Sequence, residues 1–314
     1  MKKVSVVIPT YNRKNELLSL IESILNSNYP KNKLEIIVID DASTDGTYDL
    51  IRKKYPSVKI IRNKKNLLLA NSRNIGIKNS VGDYVFLIDD DNVIDKNCIF
   101  ELVKTMEKDN MIGVLGPTMY YLSDPKRIWC AGIRRNMVTS STLFIYKDKI
   151  DNGKIKKLIP SDDFPNAFMV RRKVFYKVGL LNHKEFPIHY DEADFCQRVK
   201  QSKFRIFCNT DAKIWHNAKR TKFTGFETYS RTYFTARNRI IFHFKYSNLY
   251  EFIIFVSIFN WIILLFYIIN ILLKSDFSLK KKLILIKAYF SGTIDAFNLL
   301  LKIKKGDNSN GNKL

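Results

Sequence analysis

Histidine and cysteine are scarce in this chain, four of each among 314 residues. No Cys-x-x-Cys pair occurs, and no histidine stands at zinc-ligand spacing from Cys98, Cys130, Cys196 or Cys208. That excludes a zinc module and a disulfide framework, and the four read as reduced, mostly buried thiols of a protein facing the cytosol. The N-terminal MKKVSVVIPTYNR turns polar too soon to be a signal peptide. No internal repeat is present, which excludes solenoid architectures, and low complexity is confined to the tail GDNSNGNKL. Acid is also in short supply: 30 Asp and Glu against 53 Lys and Arg leave a net charge of +23. Such an excess calls for an anionic partner, whether nucleic acid, anionic lipid or nucleotide. It is uneven. Basic and acidic residues nearly balance up to Asp95, whereas from Arg198 onward they stand at 21 to 6.

What is there begins with enough apolar material, 46% of the chain, for a substantial core. VSVVIP (4–9) reads as a buried strand, followed by a turn at Thr10-Tyr11-Asn12 and a helix to about Leu25. LEIIVID (34–40) is a second strand, ending in Asp40-Asp41, with Ser43 or Thr44 placed to cap the next helix. VKIIRN (58–63) is a third, and LLLANSRNIGIKNS (67–80) a helix that Gly82 breaks. The organising stretch is GDYVFLIDDDNVI (82–94), an apolar strand tipped by Asp89, Asp90 and Asp91. Alternating strands and helices with short joints predict a mainly parallel α/β sheet covered on both faces. Open sheets of this kind bind ligands at the carboxyl ends of their strands, where both acid pairs fall. Three adjacent carboxylates repel unless a cation neutralises them. In extended chain Asp89 and Asp91 point the same way, a pincer suited to Mg²⁺ or Mn²⁺ that shares a substrate's phosphates. A solvated acidic loop, with Asp91 or Asn92 capping a helix, is the plainer alternative.

VSVVIPTYNR, EIIVIDDASTDGT, ANSRNIGI and GDYVFLIDDD, in that order and spacing, resemble the family 2 glycosyltransferases of the GT-A fold (Rossmann-like). The resemblance covers residues 3–95 and returns at about 164–216. It implies a nucleotide-sugar donor (UDP-, GDP- or dTDP-linked), a divalent metal, Mn²⁺ or Mg²⁺, and transfer with inversion at the anomeric carbon. It places Pro9 and Tyr11 in the base pocket, Asp41 on the nucleobase and Arg73 near the pyrophosphate or base. Asp89 and Asp91 become the family's Asp-x-Asp, reaching ribose and metal, with Asp90 between them in the same donor site. A departing diphosphate gathers negative charge, and a metal with an arginine is the chemistry that stabilises it.

In FPNAFMVRRKVFYKVGLLNHKEFPIHYDEADFCQRV the run from Asp191 reads as a helix start, with Phe195 and Val199 on one face. Asp194 there suits a simple partner for the helix dipole. By resemblance Asp191-Glu192 is the family's acidic pair and Arg198 its following arginine. The second acid, Glu192, would be the general base that deprotonates the acceptor hydroxyl. The order of Asp and Glu is swapped from the common form, so Asp191 remains an alternative. His216, after a strand ending at Trp215, stands where the family frequently has a further metal ligand. The stretch 96–163 says less. Met111–Pro117 reads as a strand, Asn152-Gly153 as a hairpin turn, and Arg127, Trp129 and Arg134 as candidates to meet a sugar or a phosphate.

From Phe226 a helix rich in Tyr, Phe and Arg follows, with Arg231, Arg237 and Arg239 expected to be exposed; Tyr-x-x-x-Arg-Asn segments like it occur in family members that act at membranes. Phe252 to Leu273 carries no charge over a length that spans a bilayer. Leu283 to Ile303 is amphipathic, interrupted by Lys287 and Asp295, and reads as interfacial. Lys280–Lys282 and Arg237, Arg239 and Lys245 put positive charge on both sides of the apolar run, which fits a hairpin or re-entrant element and binding to anionic headgroups. The expected organisation is a GT-A domain over 1–225 (nucleotide-sugar half 1–95, acceptor half 96–225), C-terminal helices over 226–305 with segments 252–273 and 283–303, and a disordered tail over 306–314.

The reading is a membrane-associated enzyme with its catalytic domain on the cytoplasmic side. It would pass a single sugar to a lipid-linked glycan or surface saccharide. A nucleic-acid-binding protein would explain the charge but neither the acid pairs nor the apolar span. A nucleotidyltransferase of similar fold should carry a Gly-rich, basic phosphate loop after the first strand, where this chain has PTYNR. A non-catalytic sugar-binding homologue is the remaining alternative. A processive synthase would need the Gln-x-x-Arg-Trp motif and further spans, and neither is present.

Overall fold

The computed structural model describes residues 1–218 and 228–307. The junction expected at 225/226 and the tail beyond 307 lie outside the described residues. The first strand, β1 (Val4–Thr10), is buried along its whole length, as is the later β4 (Tyr84–Ile88). Strands apolar on both faces need cover on both, and that forces helices between them. The chain accordingly runs β1, α1 (Lys14–Leu25), β2 (Leu34–Asp40), α2 (Thr47–Lys54), β3 (Lys59–Arg62), α3 (Leu69–Lys78) and β4. After the acids come β5 (Asn92–Ile94), α4 (Cys98–Lys108), β6 (Ile112–Tyr121) and β7 (Asp124–Cys130). Short strands β8 (Ile133–Arg135), β9 (Thr142–Phe144) and β10 (Leu158–Pro160) precede β11 (Ala167–Arg171), α5 (Arg172–Val178), α6 (Asp191–Gln201) and β12 (Arg205–His216).

The main sheet has the order β10-β12-β6-β11-β4-β1-β2-β3. Pairings β1–β2, β1–β4, β2–β3 and β6–β12 are parallel, while β11 enters antiparallel between β4 and β6. The expected mainly parallel sheet is therefore present, with β11 an antiparallel insert and β10, β5 and β7 added antiparallel to β12 and β6. Register aligns Thr10 of β1 with Asp40 of β2, and Val7 with Leu87 of β4. The loops after β1, β2 and β4 thus open at one edge. Gly76 of α3 permits close packing on this sheet: a Cβ there would sit 2.2 Å from Val7 Cγ1.

Several local expectations are revised. Asp89, Asp90 and Asp91 lie in a turn between β4 and β5, so strand alternation does not orient them, and Asn92 opens β5 rather than capping a helix. Helix α2 starts from Gly46 in the left-handed region (φ 81°), with Asp45 accepting from Thr47 N, and neither Ser43 nor Thr44 caps it. The hairpin of the middle region turns at Leu122-Ser123 between β6 and β7, not at Asn152-Gly153. All four cysteines are buried free thiols, as their spacing implied.

Two compact units divide the described residues. The first comprises Met1–Arg134, Leu143–Pro187 and Asp191–Ala218; the second contains Arg135–Thr142, Ile188–Tyr190 and the C-terminal helices. Those helices are α7 (Tyr229–Tyr246), α8 (Leu249–Ile254), a π-helical turn over Phe255–Phe259, α9 (Asn260–Leu273) and α10 (Leu279–Asp307). A capping box between Asn248 and Glu251 starts α8. Helix α10 lies along α7, with Tyr233 donating to Asp295 at 2.8 Å and Arg239 donating to the Tyr289 hydroxyl at 2.8 Å. Arg239 is thus buried, contrary to the expected exposure, because it shares a helix face with Ala236 and spends its charge on a buried hydroxyl. Asn238 is buried as well and donates to the carbonyls of Ile188 and His189. At Gly292 the backbones meet: a Cβ there would lie 2.3 Å from the Tyr233 carbonyl oxygen. Gly292→Ala is expected to cost about 1–3 kcal/mol by forcing the helices apart, seen as a lower melting temperature in detergent. An unchanged melt would show that the contact yields freely.

Candidate active site

The site grows from the strand-end loops. Pro9 is buried in β1 and Tyr11, 47% exposed, follows at the edge. Asn12, in the left-handed region (φ 53°), ties the β1 and β2 loops together. Its side-chain oxygen accepts from Thr44 N and its own N–H donates to Ser43 Oγ. Asp41 is buried and already engaged: it accepts from Asn63 Nδ2 and from the N–H groups of Leu67 and Leu68 at 2.8, 2.8 and 3.0 Å. That pins the loop entering α3, where Leu68 has φ 66°.

Asp89, Asp90 and Asp91 are separated by the cations that neutralise them. Arg13, just past β1, places Nη1 3.1 Å from Asp90 Oδ1 and 2.7 Å from Asp91 Oδ2. Asp90 also accepts from Thr10 Oγ1 at 2.7 Å. Burial nevertheless pushes the Asp90 carboxyl up to about 7. At Asp91 burial acts in the same direction, but His216 and Arg13 outweigh it and hold that carboxyl down at about 2. His216 is brought there by β5–β12 pairing, which sets it opposite Asn92. Its Nε2 lies 3.4 Å from Asp91 Oδ1, a buried oxygen with no hydrogen bond. The Trp129 ring stands beside it, centroids 4.4 Å apart.

Asp89 belongs to a second cluster. Arg73 of α3 is wholly buried; its Nη2 donates to Asp89 Oδ1 at 2.7 Å, and its Nη1 to Asp191 Oδ2 at 3.0 Å and Glu192 Oε1 at 2.6 Å. Two of the three acids of α6's first turn are thereby joined to the acid tip of β4. Burial and the neighbouring Glu192 charge drive Asp191 well above the carboxylate range. Burial would raise Glu192 too, but Arg73 prevails and keeps it below its ordinary value. Asp191 is fully enclosed, while Glu192 retains 9% exposure. Asp194 and Arg198 pair within α6 at 2.8 Å, and Arg198 donates to the carbonyls of Val178 and Leu180. They support the preceding loop.

The expected site residues thus form three groups. Asp90, Asp91 and His216 gather around Arg13; Asp89, Asp191 and Glu192 gather around Arg73; Asp41 and Tyr11 stand at the neighbouring loops. Arg13's place between Asp90 and Asp91 was missed, although three adjacent acids signal that a cation must lie near. Of the middle-region candidates, Arg127 pairs with Asp124 at 2.7 Å and Arg134 lies 3.8 Å from Asp162.

Among the described residues no three His, Cys, Asp or Glu side chains converge on a metal position. Asp91 Oδ1 and the His216 Nε2 that faces it fit two ligands of a hard or borderline divalent cation, with phosphate oxygens and water completing the shell.

A sequence profile described as Glycosyl transferase family 2 matches residues 5–179. The chain belongs to that family. This family 2 glycosyltransferase is 33% identical over 171 residues to the poly(ribitol-phosphate) beta-N-acetylglucosaminyltransferase TarP of Staphylococcus aureus, covering 50% of this chain and 52% of TarP. It is 44% identical over 112 residues to an uncharacterized glycosyltransferase of Rickettsia felis, 35% of this chain and 18% of the relative. It therefore spans from under a fifth to about half the length of these relatives. The mannosyltransferase PcManGT of Pyrobaculum calidifontis, solved with GDP-Man and Mn²⁺, superposes with a TM-score of 0.59 at 13% identity, covering 94% of this chain and 87% of that one. The glycosyltransferase thus has the GT-A type of sheet, followed by two helices long and apolar enough to cross a membrane.

Proposed function

We propose that this glycosyltransferase moves a single sugar, with inversion and dependence on a divalent metal, from a nucleotide-sugar donor to a hydroxyl of a lipid-linked glycan or surface saccharide. The observation that carries the reading is the paired arrangement at the sheet edge, Asp91 with His216 on one side and Arg73-held Glu192 on the other. Asp91 and His216 would hold Mn²⁺ or Mg²⁺. The cation, when bound, supplies charge neutralisation for the departing diphosphate. Arg73 keeps Glu192 ionised, and its small exposure lets it meet an acceptor hydroxyl. Glu192 takes that proton as the hydroxyl oxygen bonds to the anomeric carbon and the bond to the diphosphate breaks, which gives inversion. Asp191, enclosed and sharing Arg73, orients Glu192. Pro9 and Tyr11 would flank the base, and Asp41 would act on it through the loop it pins. Asp194 and Arg198 would support the acceptor side from behind.

The name of TarP supports an anionic polyol-phosphate chain as one acceptor class, and the +23 charge favours such a partner. The outward apolar side chains Trp261, Leu265, Phe266 and Leu272, with Lys280–Lys282 close by, support attachment to an anionic membrane from the cytoplasmic side.

The test is donor binding by the detergent-purified chain, with UDP-, GDP- and dTDP-sugars, in Mn²⁺ or EDTA. One nucleotide class should bind only with the metal, and Asp91→Ala should weaken it by at least the roughly 10–100-fold that loss of an outer-shell partner alone costs. Binding to none of them in either condition would sink the reading.

A further inference from the structure

We infer that Arg13 receives the donor's diphosphate, through guanidinium nitrogens that no other group in the described fold engages. The assignment rests on the donor reading above and goes further by giving the phosphate contact to Arg13 rather than to Arg73, which the resemblance places near the pyrophosphate or base. Two arginines reach the carboxylates of the site, and their accounts differ. Arg73 has no exposed surface; Nη1 and Nη2 are given to Asp89, Asp191 and Glu192, and Nε is enclosed without a partner. An external anion cannot reach it without dismantling that cluster.

Arg13 has 40% of its side chain exposed and uses only Nη1, shared between Asp90 and Asp91. Its Nε and Nη2 form the side-on fork of the guanidinium, and that fork matches two oxygens of a phosphate. Anchoring Nη1 on two acids orients the plane in advance, so little ordering is left to binding. The neighbourhood suits an anion in two further ways. Arg13 is itself the N-cap of the twelve-residue α1, whose first N–H, that of Lys14, donates to Asp45 Oδ2 while the helix dipole adds positive charge at this end. The metal pair Asp91–His216 is on the same carboxylate that anchors Arg13. One acid thus holds an arginine by Oδ2 and keeps Oδ1 for the cation. A diphosphate between them would meet positive charge from both.

The experiment titrates the full detergent-solubilised chain, in Mn²⁺, with UDP, GDP and dTDP by calorimetry. Uridine, guanosine and thymidine are followed in parallel by ligand-detected NMR. For the nucleotide that wild type binds, Arg13→Gln should weaken the diphosphate about tenfold or more, the size of a lost charge-assisted bond, and leave the nucleoside unchanged. Arg13→Lys, which keeps the charge without the fork, should fall between. Equal weakening of diphosphate and nucleoside would reduce Arg13 to a structural counter-ion, and unchanged diphosphate binding would remove it from the site; either overturns this assignment and leaves the donor reading standing. Failure of wild type to bind any diphosphate overturns both.

Discussion

Glu192→Gln is expected to lower sugar transfer about a thousandfold, within the range seen when a general base is removed, while donor affinity stays near that of wild type. The substitution keeps the shape and still accepts from Arg73 Nη1, so the clamp that orients α6 survives. What it removes is the only function an amide cannot perform, accepting the proton of the attacking hydroxyl. Asp191→Asn should cost less. That carboxyl is fully enclosed and burial drives it toward its neutral form, so in the proposed reaction its part would be to position Glu192. Initial rates paired with nucleotide binding decide the matter. A Glu192→Gln enzyme with near-normal turnover, beside an inactive Asp191→Asn, would exchange the two roles.

Arg73→Met should be the most destabilising single change in the catalytic unit. Three carboxylates, Asp89, Asp191 and Glu192, meet on this one guanidinium, whose side chain is 0% exposed. Deleting one partner of a buried ionic cluster typically costs about 3–5 kcal/mol, because the remaining charges lose compensation while staying out of water. Arg73→Lys keeps the charge, but an ammonium cannot present two nitrogens to acids on different elements, so an intermediate loss is expected. Thermal denaturation in detergent reads both. Equal melting of wild type and Arg73→Met would mean that the acids adjust by protonation at little cost, and that the cluster does not hold α6 to β4.

Much of this was legible in the sequence, and the residues show where legibility stopped. β1, β2 and β4 announce themselves because each is a short apolar run between turn residues, and their acid tips mark the functional edge. Helix α6 is equally plain from its acidic first turn. The antiparallel insertion of β11 left no trace, since which strands pair is decided by long-range packing that no local window contains. The same is true of β5–β12, the pairing that brings His216 to Asp91. Alternation misled at Asp89–Asp91 because the backbone leaves the strand at Ile88. Polarity misled at Arg239, whose guanidinium is buried against a tyrosine on a helix fifty residues away. The acids that gather on Arg73 were not legible, because Asp89 and Asp191-Glu192 come from elements that only the fold brings together.

The contact at Gly292 has a mechanical consequence for the far end of the chain. With backbone on backbone, a buried Arg239–Tyr289 bond and the Tyr233–Asp295 bond, α10 moves only when α7 moves. Helix α7 carries Arg231, Arg237 and Lys245 along with it. In the membrane attachment proposed above, a solitary apolar helix could offer every side to hydrocarbon, whereas α10 gives one side to a helix that carries cations. The pair would then have a waterline, set by Arg231, Arg237 and Lys245 of α7.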